Sequence, residues 1–433
     1  MIGISKLYCG TVEPSDALRY NRESKKLPSH LLQFSRDKKP VVVWNMTKRC
    51  NLRCIHCYAQ AVDPSAPQPD ELTTEEGKAL IDDLAAFGSP VILFSGGEPL
   101  LREDLVELAR YAKEKGMRAV ISTNGTLITK EKAQQLKEVG LSYVGISFDG
   151  LEATNDRFRG CKGAFADALA GLKNCQEAGI KVGLRFTINK NNVGDVPAIF
   201  DMLERENIPR ICFYHLVYAG RGSRLIDDDL TPEESRKVVD LIMDSTEALH
   251  KKGFPAEVLT VDNHCDGPYI YLRLLKEDPE RAAEVYELLS MNGGNSTGIG
   301  IGCVSWDGSV HADQFWRHHS FGNVRERKFS EIWTDLSDPV MAGLKNRKPL
   351  LLENASKCSR CRWIDVCNGN FRVRAEAVTG NIWGDDPACY LTEEEILFCL
   401  FLLFHIHFRF LSFSYLFPFF CPFSSFPVIF FPA

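Results

Sequence analysis

Short apolar runs rich in β-branched residues alternate with longer segments rich in Ala, Leu, Glu and Lys along the first half of the chain. Six runs are typical of buried parallel strands and lie at 41–46, 91–94, 119–121, 143–148, 182–188 and 211–217. Helix-like segments separate them, at 74–87, 102–115, 130–139, 165–178 and 195–206. This rhythm predicts an α/β fold whose parallel sheet curls toward a barrel. Six units are fewer than the eight of a closed barrel, so we expect a partial (β/α)6 TIM-like barrel with a lateral opening.

The rest of the chain divides by pattern. We expect an N-terminal extension over 1–39, the barrel over 40–230, a mostly helical connecting segment over 231–302 and a small Cys-rich domain over 303–396. Short strands, turns and cysteines distinguish this last domain from the barrel.

Residues 397–433 differ from everything before them, with 13 of the chain's 27 Phe and no Asp, Glu, Lys or Gly. A membrane anchor is one interpretation, because about 20 apolar residues span a bilayer. Prolines break any helix in the second half of this stretch. We therefore expect a Phe-rich tail of non-native sequence, and membrane association only if the tail is native.

Charge and cysteine usage narrow the function class. Lys+Arg 51 against Asp+Glu 57 gives a net charge of −6, which offers no case for nucleic-acid binding. The first residues lack the basic and apolar regions of a signal peptide, so we expect a cytoplasmic protein. In a reducing cytosol, clustered members of the 15 cysteines are metal ligands more often than disulfides.

Cys50, Cys54 and Cys57 follow the first predicted strand with Cys-x3-Cys-x2-Cys spacing. Three thiolates on one loop bind three irons of a four-iron cluster, normally held by four cysteines. The fourth iron then stays open for an exogenous group. Zinc is the alternative, with His56 as a fourth ligand, because structural zinc requires a closed set of four.

A second motif, Gly96-Gly97-Glu98-Pro99, follows the second predicted strand. Glycines let a backbone approach a ligand closely, and ligands bind at the C-terminal ends of parallel strands. Alone this sequence is typical of an ordinary turn. Beside the cysteine triad it indicates a cofactor site.

The two motifs together resemble the radical S-adenosylmethionine (SAM) enzymes. The resemblance implies that Cys50, Cys54 and Cys57 hold the SAM-binding [4Fe-4S] cluster and that Gly96, Gly97, Glu98 and Pro99 bind the methionine amine. It implies further SAM contacts at Tyr58, Asn124, Ser147, Asp149, Arg159 and Asn189. The implied chemistry is reductive cleavage of SAM to a 5′-deoxyadenosyl radical, with a low-potential electron donor such as ferredoxin or flavodoxin.

A separate set of cysteines, Cys358, Cys361, Cys367 and Cys389, lies near the C-terminus. Four thiolates suffice for a second iron–sulfur cluster or for a structural zinc. The spacing resembles the SPASM-type auxiliary domain of radical SAM enzymes, which implies a second [4Fe-4S] cluster. Cys303 is an alternative to Cys389 as a ligand. The remaining cysteines of the body lack ligand spacing and are expected to be buried small side chains: Cys9, Cys161, Cys175, Cys212 and Cys265.

Four further stretches, at 41–47, 214–222, 261–267 and 307–317, resemble the tetrapyrrole-modifying branch of this family. The resemblance implies removal of the two acetate side chains of 12,18-didecarboxysirohaem to give iron-coproporphyrin III. Alternatives are oxidative decarboxylation of iron-coproporphyrin, a haem d1-type step, or maturation of a peptide by the same radical chemistry. Outside enzymes, the alternative is a zinc-stapled binding protein.

An iron tetrapyrrole substrate carries several carboxylates, for which arginine is the suited partner. The candidates, each equally suited to a structural ion pair, are Arg185, Arg221, Arg224, Arg317, Arg372 and Arg374. An axial ligand to the substrate iron is expected to be one of His215, His264, His311, His318 and His319. The aromatic candidates for packing on the macrocycle face are Trp306, Phe315 and Trp316. Packing in the protein core is the ordinary role of such side chains and is the alternative.

Overall fold

The structure of this chain is a computed structural model that describes residues 1–11, 39–67 and 70–397. The strands found in these ranges are β1 (Ile2–Gly3), β2 (Val41–Asn45), β3 (Val91–Ser95), β4 (Arg118–Thr123), β5 (Tyr143–Ser147), β6 (Val182–Ile188), β7 (Arg210–His215), β8 (Glu257–Val261), β9 (Ile301–Val304) and β10 (Val310–His311). They form one sheet in the order β1-β8-β7-β6-β5-β4-β3-β2-β9-β10.

Helices cover the sheet and build the C-terminal part of the chain. In the described ranges they are α1 (Ile4–Leu7), α2 (Thr74–Phe87), α3 (Leu105–Glu114), α4 (Lys130–Glu138), α5 (Glu152–Arg159), α6 (Ala164–Glu177), α7 (Val196–Arg205), α8 (Pro232–Lys251), α9 (Asp266–Glu277), α10 (Pro279–Asn292), α11 (Phe329–Thr334), α12 (Pro339–Lys345), α13 (Arg347–Asn354), α14 (Ile364–Cys367), α15 (Arg372–Thr379) and α16 (Glu393–Leu397). Short 3-10 helices lie at Pro99–Leu101, Val193–Asp195, Gly220–Asp228 and Cys358–Arg360.

The six predicted strand–helix units are confirmed as β2 to β7, which pair in parallel in chain order. Each connection between neighbouring strands includes a helix, as parallel pairing requires. Local sequence sets the helix ends: Thr73 and Glu76 form a capping box that begins α2, and Gly88 ends it with a left-handed φ of 86°. The sheet remains open within the described residues, because β1 and β10 are its two edges.

Two strands extend this sheet beyond the prediction. β8 lies within the segment expected to be mostly helical and pairs in parallel with β7. Its five residues stand between two long helices, α8 and α9, whose composition dominates the segment. β9 pairs in parallel with β2, so the boundary expected near residue 303 falls inside a strand of the shared sheet.

Side chains alternate along each strand between the helix layer and the lumen of the barrel. On the outer face, Trp44, Phe94 and Ile121 are buried under the helices. On the inner face the residues are mixed, and Val43 and Arg185 both line a cavity. The outer face is therefore apolar and buried, whereas charged and polar side chains interrupt the inner face, which borders the cavity.

The Cys-rich part packs onto the barrel through β9 and through α11, where Phe329 contacts Phe87 of α2 at a ring-centroid distance of 6.4 Å. Ser330 secures the same contact, because its amide and hydroxyl donate to Asp83. The tail expected beyond residue 396 lies outside the described residues apart from Leu397, as does most of the N-terminal extension. In the part of the chain that is described, no helix is long and apolar enough to span a membrane.

Candidate active site

The three clustered cysteines lie on the loop after β2, and their side chains line one cavity at the C-terminal ends of the parallel strands. Two arginines from distant parts of the chain hold this loop by its carbonyl groups. Arg221 donates from Nε to the Cys54 carbonyl at 2.8 Å, and Arg317 donates from Nη1 to the Ala59 carbonyl at 2.9 Å. The loop is therefore fixed by partners that only the folded barrel brings together.

Donors surround the thiol groups themselves. The Leu52 amide lies 3.4 Å from the Cys50 Sγ, and Asn124 Nδ2 lies 3.8 Å from the same sulfur. Arg159 donates from Nη1 to the Cys54 Sγ at 3.6 Å. Burial raises the pKa of Cys50 to about 12, so this thiol ionises only beside a cationic metal. Three thiols that line one cavity, two of them with donors near their sulfurs, fit an iron–sulfur cluster.

His56 lies between two of these cysteines, and its contacts are with neighbouring polar and aromatic groups. Its Nε2 lies 3.5 Å from the Asp149 carboxylate, and its ring packs against Phe158 at 4.8 Å. Burial lowers the pKa of His56 to about 4 despite the nearby carboxylate. The imidazole is therefore neutral at physiological pH.

Gly96 and Gly97 line the same cavity from the end of β3. The Gly97 amide donates to the Thr47 carbonyl at 2.7 Å, and the next amide donates to the Arg49 carbonyl at 2.8 Å. A Cβ on Gly97 would lie 2.7 Å from the Arg49 carbonyl carbon. Glycine is needed here because the cysteine loop runs against this turn.

Glu98 and Pro99 are outside the cavity lining, and Glu98 is fully buried behind it. Its carboxylate accepts from the Thr123 hydroxyl at 2.7 Å and from the Asn124 amide at 2.8 Å. Burial raises the pKa of Glu98 to about 7. The geometry gives Glu98 a positioning role, because it joins the turns after β3 and β4.

The other predicted SAM contacts divide into two groups. Those that line the cavity are Tyr58, Asn124, Ser147 and Arg159. Asp149 lies behind them, paired with Arg159 in a salt bridge and accepting from the Thr187 amide at 2.7 Å. Asn189 is also buried, and its side chain donates to the Thr187 carbonyl. Asp149 and Asn189 thus support the wall of the cavity, and direct contact with SAM stays a prediction for the other four.

A second cavity, of about 300 Å³, continues from the first into the barrel. Arg185, Tyr214, Asp262, Gln314 and Phe315 line both. Arg118 and Arg210 also line the inner cavity, and sequence analysis missed them. Each is the first residue of its strand. The alternation of inward-facing and outward-facing positions along the strands is the signal that could have identified them.

Most of the proposed substrate-binding arginines have structural partners instead. Arg372 donates to backbone carbonyl groups, and Arg374 forms a fully buried pair with Asp386 at 2.8 Å. Arg224 is exposed. Arg185 and Arg221 line the cavities, and contact with substrate stays a prediction for these two.

Two of the predicted histidines also reach the cavities, and the other three do not. His215 lines the first cavity and lies 3.0 Å from the Asp266 carboxylate, and His264 lines the inner one. His311 lies 3.0 Å from the Ser305 hydroxyl, and His318 and His319 contact acidic side chains of the C-terminal part.

The four C-terminal cysteines line one small cavity together with Lys357, Asp385 and Asp386. Cys303 is elsewhere, buried in β9, where it accepts from Asn45 Nδ2 at 3.4 Å. Cys265 was expected to be only a packing residue, yet its thiol forms a hydrogen bond with the Cys389 thiol. This hydrogen bond lowers the pKa of Cys389 to about 7. No group of three or more His, Cys, Asp or Glu side chains in the described ranges is arranged to hold a single metal ion.

Comparisons with known proteins agree with this geometry. The Radical SAM superfamily model matches residues 44–203. Over 396 residues, covering 92% of this chain and 99% of the relative, the chain is 78% identical to the Fe-coproporphyrin III synthase of Methanosarcina barkeri. It is 41% identical to the pre-heme d1 synthase of Dinoroseobacter shibae, over 82% of this chain and 87% of that protein.

A solved structure confirms the fold class independently of close sequence similarity. The crystal structure of Streptococcus suis SuiB bound to the precursor peptide SuiA matches with a TM-score of 0.64 at 18% identity, over 84% of this chain and 79% of that one. The family implies SAM and one [4Fe-4S] cluster as cofactors, and the predicted enzyme type is confirmed. This chain belongs to the radical SAM enzymes, in the tetrapyrrole-modifying branch that contains Fe-coproporphyrin III synthase and pre-heme d1 synthase.

Proposed function

We propose that this enzyme removes the two acetate side chains of 12,18-didecarboxysirohaem to give Fe-coproporphyrin III. The observation that carries the proposal is the 78% identity to the Fe-coproporphyrin III synthase of Methanosarcina barkeri, which covers 99% of that relative. The site supports it, because a thiol-lined cavity opens into a second cavity with three arginines. Carboxylate side chains of a tetrapyrrole need such cations.

The first cavity has the donor set for the SAM-binding cluster. Cys50, Cys54 and Cys57 would hold three of the irons, and the glycine turn at 96–97 would leave room for the cofactor beside them. When bound, SAM and the reduced cluster supply a 5′-deoxyadenosyl radical, which abstracts hydrogen from the substrate.

The chain's own residues position the reactants and exclude water. Arg221 and Arg317 fix the cysteine loop through its carbonyl groups, which keeps the thiols at constant positions relative to the strands. Tyr58 contacts Phe315 edge-on at 5.1 Å, and this aromatic pair forms part of the cavity wall. A dry, rigid wall prevents side reactions and holds the target carbon near the radical.

We assign a second [4Fe-4S] cluster to Cys358, Cys361, Cys367 and Cys389. Support comes from the shared cavity of the four side chains and from burial, which raises the pKa of Cys358 to about 12. A buried neutral thiol becomes a thiolate only by binding a metal. Structural zinc is the alternative, and iron and acid-labile sulfide analysis distinguishes the two.

The proposed setting is the cytoplasm, where a reducing environment keeps clustered cysteines available to metals. A ferredoxin or a flavodoxin would supply the electron that reduces the cluster. The proposed partners are therefore this donor and the iron tetrapyrrole, with no nucleic acid.

The test is an anaerobic assay of the reconstituted enzyme with SAM, a reductant and 12,18-didecarboxysirohaem. We expect 5′-deoxyadenosine and a product whose mass has decreased by two acetate groups. Cys54→Ala should abolish both, whereas Cys161→Ala, at an exposed cysteine outside both cavities, should leave them unchanged. Deoxyadenosine without a change in tetrapyrrole mass would reject the substrate, and a product that retains its acetates but loses propionate carboxyls would assign the decarboxylase step instead.

A further inference from the structure

Three arginines from separate strands face the inner cavity of the barrel. Arg118 begins β4, Arg210 begins β7, and Arg185 lies in the middle of β6. The register pairs Leu184 with Ile211, so Arg185 is two residues nearer the thiol cavity than Arg210. Two residues of strand are about 6–7 Å. Arg185 and Arg210 therefore lie at different depths between the end of the barrel and the thiol cavity.

Two glycines provide the space for these side chains. A Cβ on Gly145 of β5 would collide with the Nε of Arg185, and a Cβ on Gly183 of β6 would lie 3.0 Å from the Cβ of Arg210. Glycine weakens a strand interior. Two inward-facing glycines beside two inward-facing arginines indicate that the lumen is shaped around the guanidinium groups.

The positive charge at this end of the cavity is only partly compensated. Arg210 pairs with Glu257 at 3.3 Å, and Arg185 donates to the Tyr214 hydroxyl at 2.8 Å. Within the described residues, Arg118 has no side-chain hydrogen bond or ion pair. The Nε atoms of Arg185 and Arg210 are buried without an acceptor in the same residues. Unsatisfied buried donors are rare in proteins, which points to an anionic ligand.

Acidic groups lie at the opposite wall. Asp262 follows β8, and Asp313 follows β10; both line the cavity. Asp313 accepts from Thr297 and from two backbone amides, so its charge is already satisfied. Burial and the like charge of Arg210 lower the pKa of Arg118, and Glu257, which already pairs with Arg210, opposes this only in part. An incoming carboxylate would offset that cost.

We propose that Arg118, Arg185 and Arg210 form a subsite that binds carboxylate side chains of the tetrapyrrole and orients the macrocycle toward the thiol cavity. The subsite rests on the function proposed above and assigns the residues that recognise its substrate. Guanidinium groups bind carboxylates in bidentate geometry. Carboxylates held at the end of the barrel would direct the opposite edge of the ring to the radical.

The test measures binding of 12,18-didecarboxysirohaem to the anaerobic holoenzyme by absorbance titration. Arg118→Gln should weaken binding about 10- to 100-fold, the expected loss of one charge-assisted hydrogen-bonding partner, and Arg118→Lys should recover part of it. Arg110→Gln, at an exposed position of α3, is the matched control and should bind as wild type. Deoxyadenosine formation without substrate is measured for each variant, which separates a loss of substrate binding from a loss of SAM cleavage.

A methyl-esterified substrate makes the test specific to carboxylates. It should bind wild type weakly, and Arg118→Gln should weaken it no further. Gly145→Ala offers a second route, because it displaces Arg185 without removing a charge and should also lower affinity. If wild type binds and converts the free acid while Arg118→Gln and Gly145→Ala bind it equally well, the subsite is overturned and the proposed function stands. If wild type neither binds nor converts it, the proposed function fails, and the subsite fails with it.

Discussion

Replacement of Gly97 by alanine tests whether the glycine turn and the cysteine loop form one rigid unit. A Cβ at this position would lie 2.7 Å from the Arg49 carbonyl carbon and 2.8 Å from the Lys48 carbonyl oxygen. Carbon atoms reach their optimal contact at about 3.5–4.0 Å, so the loop must retreat by roughly 0.8–1.3 Å. The obstacles are backbone atoms of the residues directly before Cys50, which no rotamer change can remove.

The magnitude follows from this displacement. Overpacking of this kind costs about 1–3 kcal/mol, and the hydrogen bonds from the amides of Gly97 and Glu98 to the loop lengthen as well. Misplacement of catalytic groups by about 1 Å lowers a rate roughly 100-fold. We therefore expect Gly97→Ala to fold with modestly lower stability and to lose SAM cleavage by about two orders of magnitude.

The assay measures deoxyadenosine formation by the reconstituted enzyme, together with iron content and thermal unfolding. Gly194→Ala is the matched control, because a Cβ there meets nothing within 4 Å, and it should cleave SAM at the wild-type rate. The reasoning is refuted if Gly97→Ala cleaves SAM within twofold of wild type with full iron content. An unfolded Gly97→Ala protein would also contradict it, since the predicted strain is local.

Three further predictions concern the auxiliary cysteines, a buried carboxyl and a buried ion pair. Cys389→Ser should lower iron content by about half, because it removes a ligand of the proposed second cluster, whereas Cys265→Ser should retain its iron; equal loss in both would reassign the ligand. Burial raises the pKa of Asp262 to about 7, so the folded protein binds this proton more tightly than the unfolded chain does. The free energy of unfolding therefore falls by at most about 1.4 kcal/mol per pH unit as the pH rises from about 4 to 7. Replacing Asp262 by Asn should therefore raise the melting temperature more at pH 8 than at pH 5, and an equal gain at both pH values would contradict this. Removing the buried partner of Arg159 by Asp149→Ala should cost about 3 kcal/mol or more in unfolding free energy. Asp63→Ala, in the exposed pair with Arg53, should cost much less; similar costs would show that burial is not the deciding factor.

The parts of the fold that could be predicted are those where one local pattern has one structural meaning. The six barrel strands follow from apolar runs between amphipathic helices, and the cysteine loop follows from three thiols within eight residues. β8 was missed although it also lies between two helices, because Glu257 and Thr260 leave it without a continuous apolar run. The pairing of β9 was also missed, because its partner β2 is more than 250 residues away.

The structure divides the predicted SAM-binding residues into those that line the cavity and those that lie behind its wall. Asn124 and Arg159 line the cavity as expected, whereas Asp149 and Glu98 lie behind the wall and orient them. A sequence motif contains both the residues that face the ligand and those that support them, and it does not distinguish the two. Only packing shows which side chain faces the ligand and which one supports it.

The arginines of the lumen also separate the proposed function from peptide maturation, the alternative with the same radical chemistry. Each strand places every second residue inward, and inward residues of β4, β6 and β7 line the cavity that we propose as the substrate site. Guanidinium groups buried beside Tyr143 and Tyr214 cost free energy unless an anion neutralises them. A tetrapyrrole brings several carboxylates on one rigid ring, while an extended peptide brings mainly neutral amides to such a cavity. The charge of the lumen therefore favours the polyanionic macrocycle. It requires that the wild-type enzyme bind the free-acid tetrapyrrole more tightly than its methyl ester.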